Sequence, residues 1–294
     1  MTENPKIAVV GCGRVGSFLV RNAKRRQLDV ILAVQNRESI PADLDVPVVG
    51  IFPTSKDTIP QDRDVIFIAT TEPSFSDVCG QLRDQGCLDT GRKQPVIAHM
   101  SGAYPGSYLV DFAIGAHRAA SFHPIHPFRS RQNSPDSKDI TVALDGQPDT
   151  LELLERVANH LEMTTVVIPA EQRSLYHLAC VLAANHVVTL AHHAGRIASD
   201  ISANDPNMNR AILHLMRASL DNLEACASTN EALTGPVSRG HLETLRRHEQ
   251  ALREHYPDLR PFYRTMVEAT LPLVSKDTAE KLAPFFKTTD GDLP

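Results

Sequence analysis

The sequence predicts an α/β N-terminal domain, a doubly wound and mostly parallel sheet, followed by an all-helical second domain. Three observations carry that prediction. Short apolar and β-branched runs alternate with helical stretches as far as about residue 168, which builds a parallel sheet covered on both faces. Strand signals then vanish, and residues 171–199, 207–229, 241–255 and 261–273 show helical apolar spacing. Finally, Gly11-Cys12-Gly13-Arg14-Val15-Gly16 stands between the first strand and the first helix, where a dinucleotide-binding βαβ unit has its tight turn. The domains are therefore set at 1–168 and 169–294.

The elements follow in order. The run Lys6–Val10 is a buried strand. Gly11 allows the turn, Gly13 lets the backbone approach a diphosphate, and Gly16 lets helix and strand pack closely. An anion there meets unpaired N–H groups and the positive end of a helix dipole. Val30–Val34 forms the next strand and ends in Gln35, Asn36, Arg37 and Glu38. An acidic residue near this position grips the ribose hydroxyls of NAD, whereas an Arg accommodates a 2′-phosphate. Gln35 and Asn36 occupy the acid positions and Arg37 follows, so NADP(H) is favoured over NAD(H); Glu38 keeps NAD(H) open, and a plain surface role for Arg37 stays open too.

Further strands are expected at 47–51, 64–70, 95–99, 119–122, 139–144 and 164–168, with a helix over 150–161. Parallel sheets bind ligands beyond the carboxyl ends of their strands. Thr70, Ser101, His123 and His126 all follow strands and are expected around one cleft.

Composition limits the alternatives. The chain has 294 residues, 42% hydrophobic and 22% charged, as in ordinary globular proteins. A net charge of −5 argues against nucleic acid or an anionic membrane as partner. Five scattered cysteines do not suggest a disulfide framework. No apolar run is read as membrane-spanning and no signal peptide is seen, so the protein is expected in the cytoplasm.

Hydride transfer needs a nicotinamide held against the substrate, a proton donor and an anchor for the substrate's polar end. Tyr176-His177 and, eight residues on, Asn185 lie on one broad helical face, about 80° and roughly 12 Å apart. His123 and His126 admit acid–base work, a metal site shared with His99 or His177, or hydrogen bonding within a Pro-bracketed turn. The zinc signal is poor, and no metal is expected. Ser101 is a candidate hydroxyl donor to nicotinamide ribose or substrate. The segment Thr234–His241 is either helix punctuation or the seat of an Arg239 clamp for a carboxylate.

Gly11–Gly16, His99–Ala103, His123–Phe128, Tyr176-His177 through Asn185, and Gly235–Gly240 occur in that order over residues 5 to 275. The set resembles bacterial Rossmann-like proteins whose C-terminal part is the domain of unknown function 2520. The resemblance implies kinship with pyrroline-5-carboxylate reductases, prephenate dehydrogenases and β-hydroxyacid dehydrogenases, including ketopantoate reductases. It further implies NAD(P) as cofactor and a homodimer through the C-terminal helices. Two positions depart from the pattern. Val181 stands where hydroxyacid dehydrogenases of this group place a Lys, and no Lys occurs from 139 to 275. His241 replaces the usual acidic residue after Gly240.

The expectation is an NADP(H)-dependent reductase of a small carboxylate-bearing keto acid, ketopantoate-like. Pyrroline-carboxylate-like imine reduction is the alternative, and a sensor that binds the cofactor without turnover is the competing class. Gly11, Cys12, Gly13, Arg14, Val15, Gly16, Arg37, Thr70 and Ser101 are assigned to the cofactor. His177, Asn185, Ser101 and His123 are assigned to catalysis, and Arg239 and His126 to substrate.

Overall fold

The computed structural model describes residues 4–51, 57–88, 94–132 and 134–287. The strands are β1 (Ile7–Val10), β2 (Val30–Val34), β3 (Val48–Gly50), β4 (Val65–Ile68), β5 (Val96–His99), β6 (Ala119–Pro124), β7 (Thr141–Asp145) and β8 (Thr164–Val167). They form one sheet in the order β3-β2-β1-β4-β5-β6-β7-β8. Neighbours run parallel except β6 and β7, which are antiparallel. The order reverses between β1 and β4, so a crevice opens beyond the carboxyl ends of those strands.

Alternation along the strands builds two cores. In β1, Ile7 and Val9 face one layer while Ala8 and Val10 face the other. Helices α1 (Arg14–Arg25) and α3 (Pro148–His160) cover the first layer with Phe18, Leu19, Val20, Leu154 and Val157. Helix α2 (Phe75–Asp84) covers the second with Phe75, Val78, Cys79 and Leu82. Each such side chain contributes about 1.5–3 kcal/mol through burial.

The register sets the site. Val10 pairs with Ile68, Ile68 with His99, and His99 with Ser121. The segments after β1, β4 and β5 and the end of β6 therefore reach one edge of the sheet.

The remaining helices are α4 (Arg173–Ile201), α5 (Pro206–Ala225), α6 (Thr229–Ala232), α7 (Leu242–His255), α8 (Arg260–Thr270) and α9 (Lys276–Lys287). The chain divides into compact units 1–185 and 186–294. The division falls inside α4 rather than at the expected 168/169. The first turns of α4 stay with the sheet because Arg173 and Tyr176 bond to residues at its edge.

In the second unit Leu245, Val267, Leu282 and Phe285 form a small core. Glu249 is buried there and accepts from Arg260 (2.7 Å) and Arg264 (3.1 Å). Other apolar side chains of this unit are uncovered: Val188 and Ile201 of α4, and Leu213, Leu215, Leu220 and Leu223 of α5, are 44–70% exposed. The expectation that no run reaches membrane-spanning length is corrected, since the helix over 170–201 is long and apolar enough by length and composition. It nonetheless carries Asn185, His186, His192 and His193 along its middle.

Candidate functional site

The first half of the site is made of main chain. Gly11 has φ +100°, and a Cβ on it would lie 2.9 Å from Thr70 Cγ2 and 3.1 Å from the Ala69 carbonyl oxygen. A Cβ on Gly16 would lie 2.1 Å from the Gly11 carbonyl oxygen. Gly13 caps α1 with extended backbone and no capping side chain, so the first amides of the helix point out of a bare turn. Beside the turn is a cleft of about 340 Å³, lined by residues that include Gly11, Cys12, Gln35, Asn36, Thr70 and Asp77. The Thr70 hydroxyl is buried without a hydrogen-bond partner among the described residues. A glycine cradle, bare helix amides and an unspent hydroxyl fit the diphosphate and ribose of a dinucleotide.

Three sequence-assigned cofactor residues behave differently. Arg14 is exposed, its Nη1 3.5 Å from the Phe128 carbonyl oxygen. Cys12 is buried, with Sγ 3.4 Å from Ser17 Oγ. Arg37 is exposed and lies outside the cleft lining; it donates to the Val48 carbonyl (3.2 Å) and to Asp57 Oδ2 (3.1 Å).

The second half is made of side chains from separate segments. Ser101 Oγ donates to Glu72 Oε1 (2.7 Å) and accepts from the Ala103 amide (3.2 Å). Its single proton is thus directed at Glu72, which ties the segment after β5 to that after β4. His99 is wholly buried, and its Nε2 donates to the Pro105 carbonyl (2.9 Å) while Nδ1 accepts from the Ser101 amide (3.2 Å). Burial pushes its pKa down to about 4, against the opposing effect of the Pro105 bond.

Gly102 is where the imidazoles meet. A Cβ there would lie 2.9 Å from His123 Nε2 and 2.9 Å from His177 Nδ1. Behind it, His123 Nδ1 is 2.6 Å from the Tyr176 hydroxyl. Burial first, then the positive charge of Arg173, pushes the His123 pKa down to about 4. Burial likewise raises the Tyr176 pKa above the usual phenol range. Both groups are neutral near pH 7. A phenol donating to a neutral imidazole leaves the ring proton on Nε2, the nitrogen that faces Gly102. His177 Nδ1 is buried with no hydrogen-bond partner among the described residues.

The structure thus brings Ser101, His123 and His177 together. Asn185 sits two turns beyond His177 and is exposed. His126 is exposed and edge-on to Phe128. Arg239 is exposed in the second unit, in the turn where Ser238 Oγ donates to the Gly235 carbonyl (2.9 Å). Among the described residues no three His, Cys, Asp or Glu side chains gather as metal ligands. Tyr176, Glu72 and Arg173 also stand at this site, though none of the three is assigned to it from the sequence. Tyr176 adjoins a noted histidine, but nothing in the local sequence signals Arg173 or Glu72.

Fold and site together define a two-unit protein with a Rossmann-like sheet and a helical C-terminal region. Residues 6–90 match the family model described as NADP oxidoreductase coenzyme F420-dependent, and residues 140–270 match the domain of unknown function 2520. No curated protein matches the sequence. A protein of Thermotoga maritima is similar in structure, with TM-score 0.69 and 21% identity over 93% of this chain and 98% of that one. Pyrroline carboxylate reductase of Plasmodium falciparum, solved with NADP bound, gives 0.60 and 8% over 96% and 100%. An imine reductase variant from Myxococcus stipitatus, solved with NAD+, gives 0.59 and 14% over 95% and 99%. These likenesses are of fold, and the two bound cofactors differ.

Proposed function

We propose that this chain is a reductase that uses NADP(H) in preference to NAD(H) to reduce a small carboxylate-bearing keto acid of the ketopantoate kind. The observation that carries the reading is the meeting of His123 Nε2 and His177 Nδ1 at Gly102, one strand away from the buried, unpartnered hydroxyl of Thr70. The glycine turn would hold the diphosphate, and Thr70 would hold a ribose or phosphate oxygen. The cofactor, when bound, supplies the hydride. The His123–Tyr176 pair then supplies the proton that a carbonyl oxygen needs as its carbon is reduced. Gln35 and Asn36 line the cleft without offering a carboxylate to a ribose, which supports NADP(H).

Imine reduction is the second reading. The lack of any Lys from 139 to 275 favours it, while a neutral proton donor suits a carbonyl better, because an iminium already carries its proton. Fluorescence titration with NADPH and NADH, followed by hydride consumption over a panel of 2-keto acids and cyclic imines, tests both. Tight NADPH binding with turnover of a keto acid is expected. Binding without turnover of any panel member would make the protein a sensor, and no binding of either nucleotide would end the reading.

We further propose that a second copy of this chain covers the exposed apolar residues of α5 and the distal part of α4. Six large apolar side chains 44–70% exposed in one helical unit form more uncovered surface than a monomer ordinarily shows. Light scattering should report a dimer, and Leu215→Glu with Leu220→Glu should convert it to monomer.

A further inference from the structure

Arg173 is 1% exposed at the start of α4, yet among the described residues no carboxylate pairs with it. Its Nε donates to the Tyr104 carbonyl (3.2 Å), and Nη2 donates to the Ser101 carbonyl (3.4 Å) and to Ser121 Oγ. Nη1 is buried with no hydrogen-bond partner among the described residues. The guanidinium carbon lies 5.1 Å from the centre of the Tyr176 ring. Asp145, whose charge acts on it, accepts instead from the Gly106 amide at 2.6 Å. A buried cation without a counter-ion is costly, and the N-terminus of a 29-residue helix adds further positive potential. Such a place suits negative charge that exists only for part of a reaction cycle.

We propose that Arg173 is a positioning residue whose charge stabilises the phenolate that Tyr176 becomes when the His123–Tyr176 pair gives up a proton. This rests on the reductase reading above. In the step, the carbonyl carbon gains a hydride from the reduced nicotinamide and the C=O π pair moves to oxygen. That oxygen takes the proton from His123 Nε2, and the Tyr176 proton moves to Nδ1. The phenolate stands beside the guanidinium until water reprotonates it. The other titratable groups that act on His123 are His99 on β5, linked through Ser101 to Glu72, and His177 on α4; Cys180 acts on Tyr176 and Arg173, and Asp145 on Arg173.

The test is a double-mutant cycle on the full chain with Arg173→Met, Tyr176→Phe and the pair, alongside Arg173→Lys. Arg173→Met should lower kcat about 30-fold and leave NADPH affinity within about twofold. In the Tyr176→Phe background it should cost less than about twofold, because no phenolate is left to stabilise. Equal losses in both backgrounds would overturn the proposal. Nitrogen-15 NMR of His123 without substrate is an independent readout. Its titration midpoint should rise in Arg173→Met, as a neighbouring positive charge is removed, and an unmoved midpoint would overturn the role even if no substrate is ever turned over. Should Arg173→Met fail to fold, Arg173→Lys decides: loss below about fivefold supports charge placement, and loss matching Tyr176→Phe refutes it.

Discussion

The two halves of the candidate site are built from different materials. The glycine turn and its cleft are mostly backbone: a left-handed Gly11, a Gly16 that no side chain could replace, and the first amides of α1. The pocket around Gly102 is made of side chains carried by four separate segments, near residues 72, 99–102, 121–123 and 173–177. On the proposed function, the first half would present donors to an anion that arrives already charged. The second buries His99, His123 and Tyr176 and so keeps them neutral near pH 7. The bare turn is built by neighbouring residues, whereas the pocket around Gly102 needs groups from distant parts of the chain held at about 3 Å.

Substitutions can break that contrast, beginning where the backbone has no freedom. Gly16→Ala puts a methyl against the Gly11 carbonyl oxygen, an atom that cannot rotate away. The clash should cost about 3 kcal/mol, read as roughly 100-fold weaker NADPH binding or loss of a cooperative melt. Tyr176→Phe should leave cofactor binding intact and lower turnover by about 100-fold, since His123 Nδ1 loses its partner. Comparable losses of affinity in both variants would show that the halves are not separable.

Gly102→Ala probes the junction. The added methyl meets imidazoles rather than backbone, so the rings shift instead of the chain. Turnover should fall about tenfold, with the melting temperature little changed. The pH dependence of stability sharpens the contrast further. His99 and His123 have folded pKa values near 4 against an ordinary 6.5, so between those values the unfolded chain binds more protons. Their stabilisation is fully present above about pH 6.5 and is lost as pH falls toward 4. Thermal melts from pH 7 to 4 should show this decline, and His99→Asn with His123→Gln should flatten it.

Much of the fold is legible in short windows. The strand runs at 30–34, 64–70 and 95–99 contain the observed β2, β4 and β5, because buried parallel strands are continuously apolar. The reversal of β7 against β6 has no local signal, since strand direction depends on where the chain returns. Helix α9 was missed for another reason: Pro284 interrupts its pattern, and Leu282 and Phe285 are buried only against α7 and α8 residues such as Leu245 and Val267. His123 and His177 are conspicuous as residues, but their meeting at Gly102 is a tertiary fact.

By itself the sequence determined the alternating sheet, the helical second half and the glycine turn, because each follows from the spacing of neighbouring residues. Only the tertiary structure decided that Ser101 gives its proton to Glu72, that Tyr176 stands behind His123, and that Arg173 is buried with no carboxylate paired to it among the described residues. Burial and the distances between remote side chains set pKa values and hydrogen-bond partners, and neither quantity exists until the chain has closed on itself.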